Sequence, residues 1–330
     1  MNRLPTVKDV AQRSHVSTAT VSRVINGDSR ISAETAARVR QAVEELGYAP
    51  NHFARGLKTS RSRTVGFIAP EFDNDFFMGI AKGVESRLRG AGYALVICNS
   101  NETVEDERLR LELLLEKGVD GLIVIPASSH GAHLHQAQQQ SVPLVLVDRL
   151  VEGVDCDSVL VDNVNGTYQA MELAVKKGIR RFGFIGGDQQ LTSASERHAG
   201  FRRVLEDYRL TYDPAVVLFG NFHVGSGYSL MARLMEGTDP PPCVFISNYF
   251  MHVGATKYLM EHQNELGAVP ELISFDEMEL SFTLGFCRTI VRQPILEIGH
   301  KAAELLVERM ERPGPRPSEI SRMKTEILSS

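Results

Sequence analysis

A chain of 330 residues is too long for one compact core, so two or three domains are expected. Its make-up, 43% hydrophobic and 23% charged with no tryptophan, excludes a disordered, fibrous or disulfide-stapled chain. The formal charge of −5 is uneven: residues 1–63 carry 11 Lys/Arg and 5 Asp/Glu, a formal +6, which leaves −11 on the remainder. A basic head on an acidic body predicts that only the head meets a polyanion. No apolar run approaches the roughly 20 residues that span a bilayer, and residues 1–8 lack the apolar stretch of an export signal, so a cytoplasmic protein is expected. Cys98, Cys156, Cys243 and Cys287 show no CxxC spacing and read as small buried hydrophobes. Neither a metal nor a cofactor is expected.

Thr6 is placed to cap a first helix in which Val7, Val10 and Ala11 recur up to Arg13. After a break at Ser14-His15, Ser17 caps a second helix, Thr18 to Ile25, stopped by Asn26-Gly27. Ser32 opens a third, with Ala36, Val39, Val43 and Leu46 on one face and Gly47 closing it. Two short helices joined by a tight turn, then a third, match the helix-turn-helix plan. In the second helix Val21, Val24 and Ile25 can face a core while Thr18, Ala19, Ser22 and Arg23 fall on the other side. Small residues there permit close approach to base edges, and Arg23 can pair bidentately with a guanine. Ser17, Thr20 and the helix N-terminus suit phosphates. The pattern alone also fits a generic three-helix bundle with a polar surface.

From Thr6 to Leu57 the chain resembles the DNA-binding region of the lactose-repressor family, carried by Val16-Ser-Thr-Ala-Thr-Val-Ser-Arg-Val-Ile-Asn-Gly27 and Leu46-Gly-Tyr-Ala-Pro-Asn51. The resemblance implies DNA contacts at Thr6, Ser17, Thr18, Ala19, Thr20, Ser22, Arg23 and Asn26, with Arg30, Thr35, Tyr48 and Asn51 on the backbone or in the minor groove. It also implies that residues 49–63 form a hinge helix on the operator. There Leu57 would wedge between the central base pairs with Ala54 beside it; Phe53 and Leu57, four apart, also fit an ordinary apolar helix face.

From Thr64 onward strand–helix units repeat. Strands are expected at 64–69, 93–98, 121–125, 144–147, 159–161, 182–185, 216–218, 244–246 and 272–275, with a final one at Lys324–Leu328. Helices are expected at about 76–90 and 102–117. Continuous apolar strands between amphipathic helices imply doubly wound parallel sheets, with a cleft at their carboxyl ends. The body also resembles the family, whose sensor has the fold of periplasmic sugar-binding proteins. The expected whole is therefore an all-α head (1–48), a hinge (49–63) and a two-lobed α/β effector-binding domain (64–330). Its N-lobe would take 64–161 and 291–322, its C-lobe 162–290 and 323–330, with crossings near Asp162-Asn163, Arg288–Gln293 and Met323.

The resemblance places the effector against Phe76, Phe77, Asp148, Arg149 and Asp162, and against Ser193, Arg197, Phe222, Asn248, Tyr249 and Asp276 from the second lobe. Carboxylates and Asn accept hydroxyl protons, Arg197 donates a planar fork and aromatic faces stack on a ring, which suits a polyol. Each has a bland alternative: Phe76 as helix core, Asp148 or Asp276 as a cap. Two positions depart from the family pattern. Tyr249 stands where an Asp is usual and Asp75 where a Pro is usual, and the lost carboxylate admits a sugar acid or sugar phosphate beside Arg149 and Arg197.

An enzyme on the same sheets is an alternative, but no P-loop, GxSxG or HExxH is present. His130, His133 and His135, a possible metal group, read as part of a solvated Gln-rich helix. A sugar-binding protein without a DNA role has no use for the basic head. The expected function is thus a repressor of carbohydrate metabolism. It would act as a homodimer on a pseudo-palindromic operator, allosterically controlled by a sugar-type effector.

Overall fold

The computed structural model describes residues 5–25, 28, 30–48, 62–277 and 286–329. Two compact units divide at Ser62/Arg63. In the first, α1 (Val7–Arg13), α2 (Thr18–Ile25) and α3 (Ala33–Leu46) pack through Val10, Ala11, Val21, Val24, Val39 and Ala42. Local chemistry sets their ends. Asp9 accepts from the Thr6 backbone N–H and hydroxyl, both at 2.7 Å, and Ser17 Oγ accepts from Thr20 N (3.1 Å). His15 makes the turn at φ 55°, and Gly47 ends α3 at φ 60°, a conformation that costs glycine nothing.

The second unit holds two six-stranded sheets. The first comprises β1 (Thr64–Ala69), β2 (Ala94–Asn99), β3 (Gly121–Val124), β4 (Leu144–Val147), β5 (Asp157–Val161) and β11 (Ile320–Met323), in the order β11-β5-β4-β3-β1-β2, all parallel. The second comprises β6 (Gly183–Gly186), β7 (Val217–Phe219), β8 (Cys243–Ile246), β9 (Glu271–Phe275), β10 (Cys287–Arg292) and β12 (Glu326–Ser329), in the order β12-β10-β9-β8-β6-β7. There β12 runs antiparallel to β10. The central strands β3, β4, β5, β6 and β8 are buried along their whole length, as strands covered on both faces must be.

Helices α4 (Asp75–Gly90), α5 (Val104–Glu116), α6 (His135–Gln139) and α11 (Ile295–Glu311) cover the first sheet. Helices α7 (Asn163–Lys176), α8 (Thr192–Asp207), α9 (Val224–Met235) and α10 (Tyr249–His262) cover the second. The chain passes between lobes after β5, after β10 and between β11 and β12. Val291 and Arg292 still belong to the second sheet and Met323 to the first, so the later passages lie at Gln293–Pro294 and Lys324–Thr325.

Two expectations are corrected. The single closing strand is two short ones, β11 and β12, each joining a different sheet, because Lys324-Thr325 carries the chain from lobe to lobe. His133 is not solvated: its Nε2 lies 2.6 Å from Glu107 Oε1, and the two side chains are 7% and 1% exposed. The partner sits 26 residues upstream on α5, out of reach of local pattern. All four cysteines are free, Cys243 and Cys287 buried and the others half-buried.

Candidate functional site

On the head, Ser17, Thr18, Ala19, Ser22 and Arg23 are exposed while Val21 and Val24 are buried, so α2 turns its small polar face and one arginine outward. Ser17 and Thr20 also share a side-chain hydrogen bond (2.9 Å) that rigidifies the N-terminal turn. Arg30, exposed, forks onto Asp28 (2.9 and 2.7 Å), which holds the Asp28 carboxyl down to about 2. Thr6, Thr35 and Tyr48 are half-buried, and Thr35 N is capped by Ser32. Asn26, Asn51, Ala54 and Leu57 lie outside the described residues.

In the second unit, a cleft between the lobes encloses about 540 Å³ of space open to solvent. Phe76, Phe77, Asp148, Arg149, Ser193, Arg197, Phe222, Asn248, Tyr249 and Asp276 all line it. They arrive there because parallel strands point their carboxyl ends, and the loops after them, to one side. Asp148 follows β4 and Asp276 follows β9, and each backbone N–H continues the ladder, to Val159 O and Val291 O (both 3.0 Å). The two carboxylates thus occupy equivalent places in the two lobes. Asp148, Phe222 and Asp276 have φ of 68°, 68° and 75°. Non-glycine residues in this region cost about 1–3 kcal/mol each, strain typical of binding sites.

Both cleft arginines are held rigidly. Arg149 donates from Nη1 to Pro126 O (2.9 Å) and from Nη2 to Glu102 Oε1 (2.7 Å), with its Nε 3.4 Å from Asp148 Oδ2. Arg197 donates from Nε to Asn163 Oδ1 (2.9 Å) and from Nη1 to Ser247 O (2.6 Å), and its guanidinium stacks 3.8 Å above the Phe275 ring. Burial drives the Asp148 carboxyl above its ordinary range, against the pull of Arg149 and Arg197, and drives the Arg197 guanidinium down. Asp148 Oδ1, Arg149 Nε and Gln293 Oε1 are buried with no hydrogen-bond partner among the described residues. A ligand carrying both donors and acceptors would satisfy them.

Asp162 stands apart from the cleft: its carboxylate caps α7, accepting from Asn165 N (3.3 Å) and Asn165 Nδ2 (2.7 Å). Conversely, Glu71, Glu102, His223, Phe250 and Gln293 line the cleft without having been singled out. They are loop or helix-start residues with no periodic signal. At the mouth, ligand atoms of Glu71, Glu102 and His223 come within 4.8 Å of one another, the donors a cation would meet, although Glu102 already accepts from Arg149. Burial, then the nearby Asp75 carboxylate, pushes the Tyr249 phenol up. The two departures from the family pattern are therefore electrostatic neighbours across the cleft.

Head and body together define a helix-turn-helix DNA-binding protein that carries a periplasmic-binding-protein-like domain. Residues 6–51 match the profile of bacterial regulatory proteins, lacI family, and residues 65–284 that of a periplasmic binding protein domain. The HTH-type transcriptional repressor PurR of Aliivibrio salmonicida is 31% identical over 309 residues, 93% of either chain. That of Pectobacterium carotovorum is 33% identical over 313 residues, 93% of this chain and 91% of that one. The crystal structure of the Lac repressor dimer bound to operator and the anti-inducer ONPF superposes with a TM-score of 0.87 at 22% identity, covering 99% of this chain and 98% of that one. The transcriptional regulator CelR–cellobiose complex gives a TM-score of 0.73 at 27% identity, covering 98% of each. The chain belongs to the lacI family of bacterial regulatory proteins. It is a DNA-binding transcriptional repressor and not an enzyme.

Proposed function

We propose that this repressor is controlled by a small neutral carbohydrate bound between its lobes. One observation supports this most: among the described residues the cleft gathers four carboxyl groups, Glu71, Glu102, Asp148 and Asp276, against two guanidiniums, Arg149 and Arg197. Both guanidiniums are already engaged by protein acceptors. An anionic sugar acid or phosphate would find both of these guanidiniums already committed in a partly desolvated site, whereas a polyol supplies hydroxyl donors to Asp148 and Gln293 and an apolar ring face to Phe76, Phe77 and Phe222. The CelR relative is in complex with cellobiose, a neutral sugar.

The head (1–48) reads operator half-sites through α2, the linker (49–63) joins it to the effector domain (64–330), and the working unit is a cytoplasmic homodimer. Edge strand β2 supports the dimer: Val96 and Ile97 are exposed there, as are Leu109 and Leu113 on α5. The Lac repressor with the same fold is a dimer on its operator. Effector and DNA then change each other's affinity by one common factor.

The test is fluorescence anisotropy with a palindromic site of central CG step, over a salt series, with ribose, glucose and cellobiose set against gluconate and glucose 6-phosphate. The expected result is salt-sensitive specific binding that a neutral sugar shifts. A shift by the anions alone would overturn the effector class, and no specific binding would overturn the operator reading.

A further inference from the structure

Strand β11 and helix α8 meet across the gap between the lobes. Arg322 on β11 donates from Nη2 to Glu196 Oε1 (2.7 Å) and from Nη1 to Glu196 Oε2 (3.1 Å) on α8. The fork is bidentate, the geometry that gives an arginine–carboxylate pair its specificity. Glu196 Oε2 also accepts from Asn163 Nδ2 (3.0 Å). Asn163 sits at the crossover, fully buried, and its Oδ1 accepts from Arg197 Nε (2.9 Å). Side chains of consecutive helix residues diverge by about 100°, so Glu196 faces the hinge strand while Arg197 faces the cleft.

We propose that Glu196 is a positioning residue for the cleft arginine and, with Arg322, a clamp across the lobes. The argument turns on the amide of Asn163, which has one accepting end and one donating end. Arg197 has only donors, so it needs the oxygen end. Glu196 has only acceptors when ionised, so it holds the nitrogen end and fixes the amide the right way round. Without Glu196, rotation of the amide would set N–H against N–H, and Arg197 would lose one of its two anchors. Val161 O, 3.3 Å from Asn163 Nδ2, is the weaker second acceptor. The same carboxylate grips Arg322, the next-to-last residue of β11, so lobe arrangement and arginine placement share one group.

Arg197's part in effector binding rests on the functional reading above, so both tests use the ligand-free full-length protein. If no sugar bound, that reading would fall and these results would stand. Arginine-labelled protein reports water exchange of the Arg197 Nε proton, assigned with Arg197→Lys. Bio-orthogonal spin labels at the exposed positions 117 and 177 report the distance between lobes. Glu196→Ala should speed the exchange at least tenfold and broaden the distance distribution. Arg322→Gln should broaden the distances with little change in exchange. Glu196→Gln keeps an acceptor for Asn163 without the charge, so exchange should stay near native while the lobes loosen. Swapping the pair (Glu196→Arg with Arg322→Glu) should restore the distances but leave exchange fast. Native exchange in Glu196→Ala would overturn the positioning role, and native distances in Arg322→Gln would overturn the clamp.

Discussion

Gly299 lies where α11 crosses α4, and replacing it by alanine sets two effects of opposite sign against each other. A Cβ at this position would meet Ile80 O at 2.2 Å, Val84 N at 2.8 Å and Gly83 Cα at 2.9 Å. All three are backbone atoms, so no rotamer change relieves the overlap. Carbon–oxygen contacts ordinarily rest near ~3.3 Å, so the helices must part by about 1 Å. Alanine is the better helix former by about 1 kcal/mol, but overpacking a close-packed contact costs about 1–3 kcal/mol. With backbone on the far side the cost falls in the upper part of that range, and a net loss of about 1–2 kcal/mol is expected. Gly90→Ala on α4 is the control: its Cβ meets nothing within 4 Å, leaving only the propensity gain. Urea denaturation followed by circular dichroism should move the midpoint down for Gly299→Ala and up for Gly90→Ala. Since Phe76 and Phe77 in the first turn of α4 line the cleft, parting the helices should also weaken the effector binding proposed there. An upward shift for Gly299→Ala would refute the reasoning.

Arg23→Ala should lower affinity for the specific operator about 10- to 100-fold, the worth of one bidentate base contact, with a smaller loss on scrambled DNA in the same anisotropy assay. His252 on α10 is fully buried, neither ring nitrogen has a partner among the described residues, and burial lowers its pKa to about 4 from 6.5. The fold favours the neutral ring, so this contribution is complete above pH 6.5 and lost as pH falls toward 4. It amounts to about 3 kcal/mol, and His252→Leu should flatten the urea midpoint over that window. Asp148 behaves oppositely to most carboxylates: its raised pKa means that ionisation disfavours the fold, so its contribution is lost as pH rises. Asp148→Asn should therefore be more urea-resistant than the native protein at pH 7, lose that advantage below pH 4, and bind the proposed carbohydrate effector more weakly by calorimetry.

Much of the architecture could be read from short stretches. The caps at Thr6, Ser17 and Ser32 and the αL stop at Gly47 are interactions between residues a few positions apart, which act wherever the chain goes. The continuous apolar runs of β3, β4 and β8 are likewise visible in the local sequence. The exposed polar face of α2 followed from the same periodicity. That loops after the strands face a cleft was readable because parallel strands end on one side; which residues on them meet it came from the family resemblance, and ten of the eleven named do line the cleft. Asp162 does not, because a nearer donor, the N-terminus of its own helix, takes its carboxylate.

What pattern could not supply is pairing at long range. Glu107 meets His133, Glu102 meets Arg149 across 47 residues, and Arg322 meets Glu196 across 126. Splitting the closing strand between two sheets is likewise a choice between edges that only the assembled lobes present. A polar loop residue carries no periodic signal. Its partner is decided by strand order and by which surfaces the packed lobes bring face to face, and those emerge only when the whole core has formed.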